Sequence, residues 1–316
     1  MFILPEVLIN LFLDSLLNIF LFIAWIAGIR IALFFDINSD TPLQYSLLRQ
    51  SYLTSTILKF ALSFKIFLLF YLIYTLDKLS NLIPGAMCAA GVVSANVYGV
   101  WLVAMKIFNI YLFASWLALH SFDMRRKDYG FTKRKFAFFV AIFPFVVATW
   151  VLEFLFFNGL DVSKIVSCCG VLFAPLSHSA LASVLQIDPK IVAALFYLLF
   201  VAIVLSFRRI YLFAFLHIVF IFVALLSIIV FFSPYIYELP THRCPFCLLQ
   251  KEYYYVGYLI YALLFLGSFY AIKAAIAKAL GESVSVKFAL AFDIVLVVVL
   301  SYYPLSYYYK NGIWLL

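Results

Sequence analysis

Three observations predict an all-α, polytopic integral membrane bundle of about eight transmembrane helices: the composition, the recurrence of long apolar stretches, and the placement of basic residues. Of the 316 residues, 67% are hydrophobic, 20% aromatic and only 11% charged, against about a quarter charged in soluble domains. Mean hydropathy is +1.13. Stretches long enough to cross roughly 30 Å of hydrocarbon fall at about 7–34, 53–77, 99–121, 136–158, 191–208, 210–233, 254–273 and 288–309. The connections are short, so residues 1–316 read as a single transmembrane domain with no separate extramembrane module.

The first span contains Asp14, lacks a basic leader, and exceeds the ~7–15 apolar residues of a signal peptide, so it reads as a retained helix. The second and third carry Lys65 and Lys106, the fourth Glu153. Only Arg208 and Arg209 separate the fifth from the sixth, which holds His217, and Asp293 lies in the eighth. Ionisable groups are costly in hydrocarbon and face protein or water. Two uses stand open for them: pairing between helices, such as Lys65 with a neighbouring carboxylate, or a proton or quinone pathway. His217 alone reads as a hydrogen-bonded core histidine.

Orientation follows from retention of Lys and Arg on the cytoplasmic side. The densest basic cluster, Arg125, Arg126, Lys127, Lys133, Arg134 and Lys135, joins spans three and four. Counting from it places Arg30 and Arg49, Arg208 and Arg209, and Lys273, Lys278 and Lys287 on the same side. The connections at about 78–98, 159–190 and 234–253, with both termini, are then non-cytoplasmic. The net charge of +8 thus reflects membrane orientation, and a nucleic-acid footprint is not indicated. The expected location is a bacterial inner membrane with these three connections facing the periplasm.

All five cysteines, Cys88, Cys168, Cys169, Cys244 and Cys247, fall in those three connections. Such clustering on an oxidising face points to thiol, disulfide or soft-metal chemistry. The sharpest motif is His242-Arg243-Cys244-Pro245-Phe246-Cys247-Leu248-Leu249-Gln250-Lys251. A CxxC at the start of a helix favours thiolate through the positive end of the dipole, and Pro245 suits a first turn. An inert disulfide closing the loop is the plain alternative. The second constellation is Ser167-Cys168-Cys169-Gly170 with His178 beyond it; the third is Pro84-Gly85-Ala86-Met87-Cys88-Ala89-Ala90-Gly91, whose small residues permit close backbone approach. Adjacent cysteines form a vicinal disulfide, pair separately, bind soft metal, or pack as small hydrophobes. An odd total leaves at least one cysteine unpaired within the chain.

Residues 244–251, followed by an aromatic helix expected from Glu252 to about Tyr270, resemble the redox helix of the DsbB family of bacterial disulfide-forming membrane proteins. The order of elements, loop cysteines first and CxxC last, is similar to the vitamin K epoxide reductases. Neither family has eight spans, and Lys251 stands where DsbB proteins commonly have Arg. The resemblance implies a membrane thiol–disulfide oxidoreductase passing electrons from a periplasmic thiol protein to quinone. Cys244 and Cys247 would face the quinone, Cys88 with Cys168 or Cys169 the partner, and Gln250, Lys251 and Tyr254 would contact the quinone. The tyrosine run 253–255 also suits an aromatic belt at the interface.

A different class stays open. Cys88, Cys168, Cys169, His178, His242, Cys244 and Cys247 suit a soft-metal site for copper or zinc binding and transfer. A third reading is an anchor subunit among other membrane subunits of a respiratory complex, with the cysteines structural. Nucleotide-binding loops, HExxH and serine nucleophile elbows are missing from the sequence.

Overall fold

The computed structural model describes residues 4–36, 39–126, 130–163, 165–166, 187–283 and 285–316, and no strand occurs among them. Among the described residues, seven helices are long and apolar enough to cross a membrane: α1 (Pro5–Phe34), α2 (Pro42–Ser80), α4 (Val97–Asp123), α5 (Thr132–Asn158), α7 (Ile210–Tyr237), α8 (Val256–Ala279) and α9 (Lys287–Asn311). The short α3 (Ala89–Val93) precedes α4. The stretch expected at 191–208 is α6 (Pro189–Leu205), an apolar helix of 17 residues. It starts where the Asp188 side chain accepts from Lys190 N–H with Pro189 in the first turn. It stops where Ser206 N–H donates to both Ala202 and Ile203 carbonyls. Large apolar side chains cover the outward faces, among them Phe12, Phe67 and Phe222. The protein is therefore an all-α polytopic integral membrane bundle, since helices satisfy their own backbone polar groups in lipid.

The chain divides into two compact units. Unit 1 comprises Met1–Lys78 and Val93–Val162; unit 2 comprises Leu79–Val92 and Ser163–Leu316. In unit 1 the buried residues of α1 are Val7, Asn10, Asp14, Leu17, Leu21, Ala24, Gly28 and Ile31, stepping alternately by three and four. Gly99, Leu102, Lys106, Asn109, Phe113 and Trp116 repeat the step on α4, and Phe139, Ile142, Val146, Thr149, Glu153 and Phe156 on α5. That spacing keeps one seam of each helix facing its neighbours, so polar residues on the seam face protein.

The polar residues pair there. Lys65 Nζ lies 2.8 Å from Asp14 Oδ1, and Lys106 Nζ lies 3.8 Å from Asp14 Oδ1 and 2.5 Å from Glu153 Oε2. Asn10 Nδ2 donates to Glu153 Oε1 at 2.9 Å. Below them, Asp123 accepts from Phe131 N–H and Thr132 Oγ1 and pairs with Lys135 at 2.6 Å, anchoring the start of α5. Lys135 is thus a buried partner rather than a surface charge.

In unit 2, α8 presents Gly257, Gly267, Ser268, Ala271, Ala274 and Ala277 on its buried face, and small residues let membrane helices approach closely. A Cβ at Gly267 would overlap the Asp293 carboxylate of α9. The other side of that carboxylate meets His217: Nε2 is 2.8 Å from Asp293 Oδ2, and Nδ1 is 2.8 Å from the Phe213 carbonyl. A carbonyl only accepts, so Nδ1 carries a proton, and one further proton lies between Nε2 and Asp293. The pair is neutral overall, which suits its complete burial.

Candidate functional site

Unit 2 gathers the sulfurs. Cys88 precedes α3, and Cys244 and Cys247 lie between α7 and α8; all three belong to one buried apolar cluster with Phe196, Tyr237, Leu248 and Ile260. Cys88 Sγ and Cys244 Sγ are 3.5 Å apart. Every pair among the three sulfurs lies within 4.8 Å.

The Cys88 side is built by tight backbone packing. Gly85 has φ of +86°, in the region open to glycine, and a Cβ there would overlap the Val166 carbonyl. Val166 N–H in turn donates to the Pro84 carbonyl at 3.0 Å. At Gly91 a Cβ would press into Ala86, and Gly91 N–H donates to the Cys88 carbonyl. The small residues around Cys88 therefore admit neighbouring backbone.

The CxxC side begins at the end of α7. Pro234 lacks an N–H and its ring crowds the carbonyl four residues earlier; the helix accommodates this by widening into a π turn at Ile228–Phe232. It ends at Glu238, whose φ is 55°. Tyr237 Oη donates to the Cys244 carbonyl at 2.5 Å, and Tyr261 Oη donates to the Pro245 carbonyl at 2.8 Å. Two phenols from α7 and α8 thus hold the peptide units of the motif. Gln250 Nε2 donates to the Met87 carbonyl at 3.2 Å, joining the two cysteine loops. Gly257 lies so close to Leu248 that a Cβ would meet it at 2.8 Å.

The expected helix start at the CxxC is corrected. Cys247–Leu249 and Lys251–Tyr253 are separate 3₁₀ turns with an extended Gln250 between them. Tyr254 and Tyr255 then adopt left-handed φ of 55° and 56°, each at a cost of about 1–2 kcal/mol for an L-residue. Helix α8 starts only at Val256, not at Glu252. A single 3₁₀ turn aligns too few peptides for a macrodipole, so the cysteines lack the helix-end stabilisation expected for thiolate.

The other expected site residues are distributed unevenly. Gln250 is half-buried beside Met87, whereas Lys251 is exposed and Tyr254 is 93% exposed. His242 stacks edge-on against Tyr237 with ring centroids 4.5 Å apart, and its Nε2 is buried with no hydrogen-bond partner among the described residues. It is not within the sulfur group. Partial burial lowers the pKa of the Arg243 guanidinium from its ordinary value, yet the group stays cationic. Cys168, Cys169 and His178 lie outside the described residues.

Tyr237, Tyr261 and the junction of Gln250 with Met87 were not singled out as supports of the cysteines from sequence. The signal available was that Tyr237 and Tyr261 flank the motif, at the last residue of α7 and in the second turn of α8.

Chemically, the arrangement offers two things. Sulfurs at 3.5 Å stand outside the ~2.05 Å of a disulfide but within reach of one by a small side-chain shift. Three thiolates within 4.8 Å also bracket the separation of about 3.8 Å that tetrahedral zinc at ~2.3 Å from each sulfur requires. No family model, no curated protein and no solved structure matches the chain.

Proposed function

We propose that the protein is a membrane thiol–disulfide oxidoreductase in which Cys88, Cys244 and Cys247 pass electrons from thiols of a periplasmic protein to quinone. The observation that carries this reading is the 3.5 Å approach of Cys88 Sγ to Cys244 Sγ beside the second cysteine of the CxxC. With Cys244 and Cys247 joined, the Cys88 thiolate attacks Cys244 Sγ; the Cys88–Cys244 bond forms, the Cys244–Cys247 bond breaks, and the Cys247 thiolate leaves. A thiolate of Cys168 or Cys169 then attacks Cys88 Sγ, forming the shuttle disulfide and releasing Cys244 as a thiolate. The partner dithiol reduces that shuttle disulfide, and quinone takes two electrons and two protons from the Cys244–Cys247 dithiol to become quinol, re-forming its disulfide. One dithiol is oxidised to a disulfide for each quinol made. Cys168 or Cys169 would face the partner, and Gln250, Lys251 and Tyr254 would contact the quinone. The three cysteine connections would lie on the periplasmic side of a bacterial inner membrane. Membranes holding the protein should reduce added quinone only with a dithiol present; reduction unchanged by Cys244→Ala would exclude the mechanism.

A second reading is a copper or zinc site on the same three sulfurs, favoured by their mutual separation within 4.8 Å. Near one equivalent of metal retained through purification, and lost in Cys88→Ser, would select it over the redox relay.

A further inference from the structure

The charged residues of unit 1 take no part in the sulfur chemistry, and their arrangement has its own consequence. Four helices each contribute one ionisable group to a single chain of contacts: Lys65 from α2, Asp14 from α1, Lys106 from α4 and Glu153 from α5. Their side chains are 7% exposed or less. Signs alternate along the chain, so two cations and two anions balance. Beside it lies a cavity of about 20 Å³ lined by Asp14, Lys65, Lys106, Asn109 and Thr149, among others. About 10–15 Å³ suffices for one water.

One polar atom at this cavity is left over. Asn109 Nδ2 donates to the Phe145 carbonyl and to Thr149 Oγ1, but Asn109 Oδ1 is buried with no hydrogen-bond partner among the described residues. It needs a donor, and the cavity has room for a neutral one. A cation is disfavoured by the two ammonium groups, and an anion by the two carboxylates that already neutralise them. Water would fit, donating to Asn109 Oδ1 and accepting from a lysine ammonium.

We propose that unit 1 holds a membrane-buried proton-transfer site, formed by the Lys65–Asp14–Lys106–Glu153 chain and one water bound at Asn109. The short Lys106–Glu153 contact defines the first step: the Nζ–H bond of Lys106 breaks as the Oε2–H bond of Glu153 forms, and both groups become neutral. In low dielectric a neutral pair competes with an ion pair because each charge forfeits hydration. The Lys106 amine then takes a proton from the cavity water, which recovers one from the Lys65 ammonium. A proton has moved from Lys65 to Glu153 and the total charge is unchanged. The groups that set the response to pH are Asp14, Lys65, Lys106 and Glu153, one from each of the four packed helices.

Infrared spectroscopy of the full chain in lipid bilayers, titrated in H2O and in D2O, reads the carboxyl groups directly. The expected result, read as wild type minus Glu153→Gln so that the other carboxyl groups cancel, is a protonated-carboxyl C=O band that grows on acidification and shifts down in D2O. Should that variant fail to fold, Glu153→Asp, which keeps an acid at the position, should instead move the band. A difference spectrum without such a band, or a band unmoved by either substitution, would overturn the site and leave the four charges as structural ion pairs.

Discussion

In unit 1 four buried charged side chains from four helices form one chain of contacts at 2.5 to 3.8 Å, beside a second buried pair, Asp123–Lys135. In unit 2 the reactive atoms are three sulfurs from two loops, packed among apolar side chains, while the helices contribute one neutral His217–Asp293 pair. The difference lies in what each group needs. A buried charge requires its counter-charge, so the carriers must sit on rigid helices with matched seams. A cysteine packs as a small hydrophobe, so a loop suffices, provided hydrogen bonds such as those of Tyr237 and Tyr261 fix its backbone. Unit 1 should therefore answer substitution in stability, and unit 2 in chemistry.

The largest effect should come from Lys106→Met, which leaves Asp14 and Glu153 short of a cation; breaking a buried pair costs about 3–5 kcal/mol. Thermal unfolding in detergent measures it, and replacing Glu153 by Leu in the same chain should recover part of the loss. A change no greater than that of a surface variant would erase the contrast between the units. Next is Gly267→Ala, whose methyl would displace the Asp293 carboxylate, at about 1–3 kcal/mol for overpacking. This variant sharpens the comparison, because it shows that unit 2 is sensitive where it also carries an ionisable pair. Cys88→Ser and Cys244→Ala should each cost only about 1 kcal/mol, read in the same melt, while abolishing dithiol-dependent quinone reduction. The smallest effect is expected for Lys251→Ala at an exposed side chain, within about 0.5 kcal/mol in stability. Its signature in the proposed function is a raised KM for quinone with the melt unchanged.

The spanning helices were legible in the sequence because lipid demands long, apolar, self-bonded segments, and Glu153, Lys65 and Lys106 stood out as charges inside them. Their partners were only partly legible. Asp14 entered as an argument about the first span, and its role emerges only when the three-and-four seam of α1 meets those of α4 and α5. The CxxC was visible as a motif, but its local backbone was not. Two consecutive tyrosines in the left-handed region oppose residue preference, so a helix was expected from Glu252 where 3₁₀ turns run instead. The approach of Cys88 to Cys244 spans 156 positions, and no spacing rule reaches that far. What the sequence did carry was the count of spans from the basic connection, which puts both cysteine connections on the same expected side.

In the proposed function the three sulfurs of unit 2 exchange bonds. The most direct measurement is rapid alkylation followed by peptide mass mapping of the full chain, poised once with excess quinone and once with a dithiol. Bond exchange predicts a Cys244–Cys247 or Cys88–Cys244 linkage with quinone, both species captured early in turnover, and their disappearance with dithiol. Alkylation of Cys88, Cys244 and Cys247 to the same extent under both conditions would contradict it.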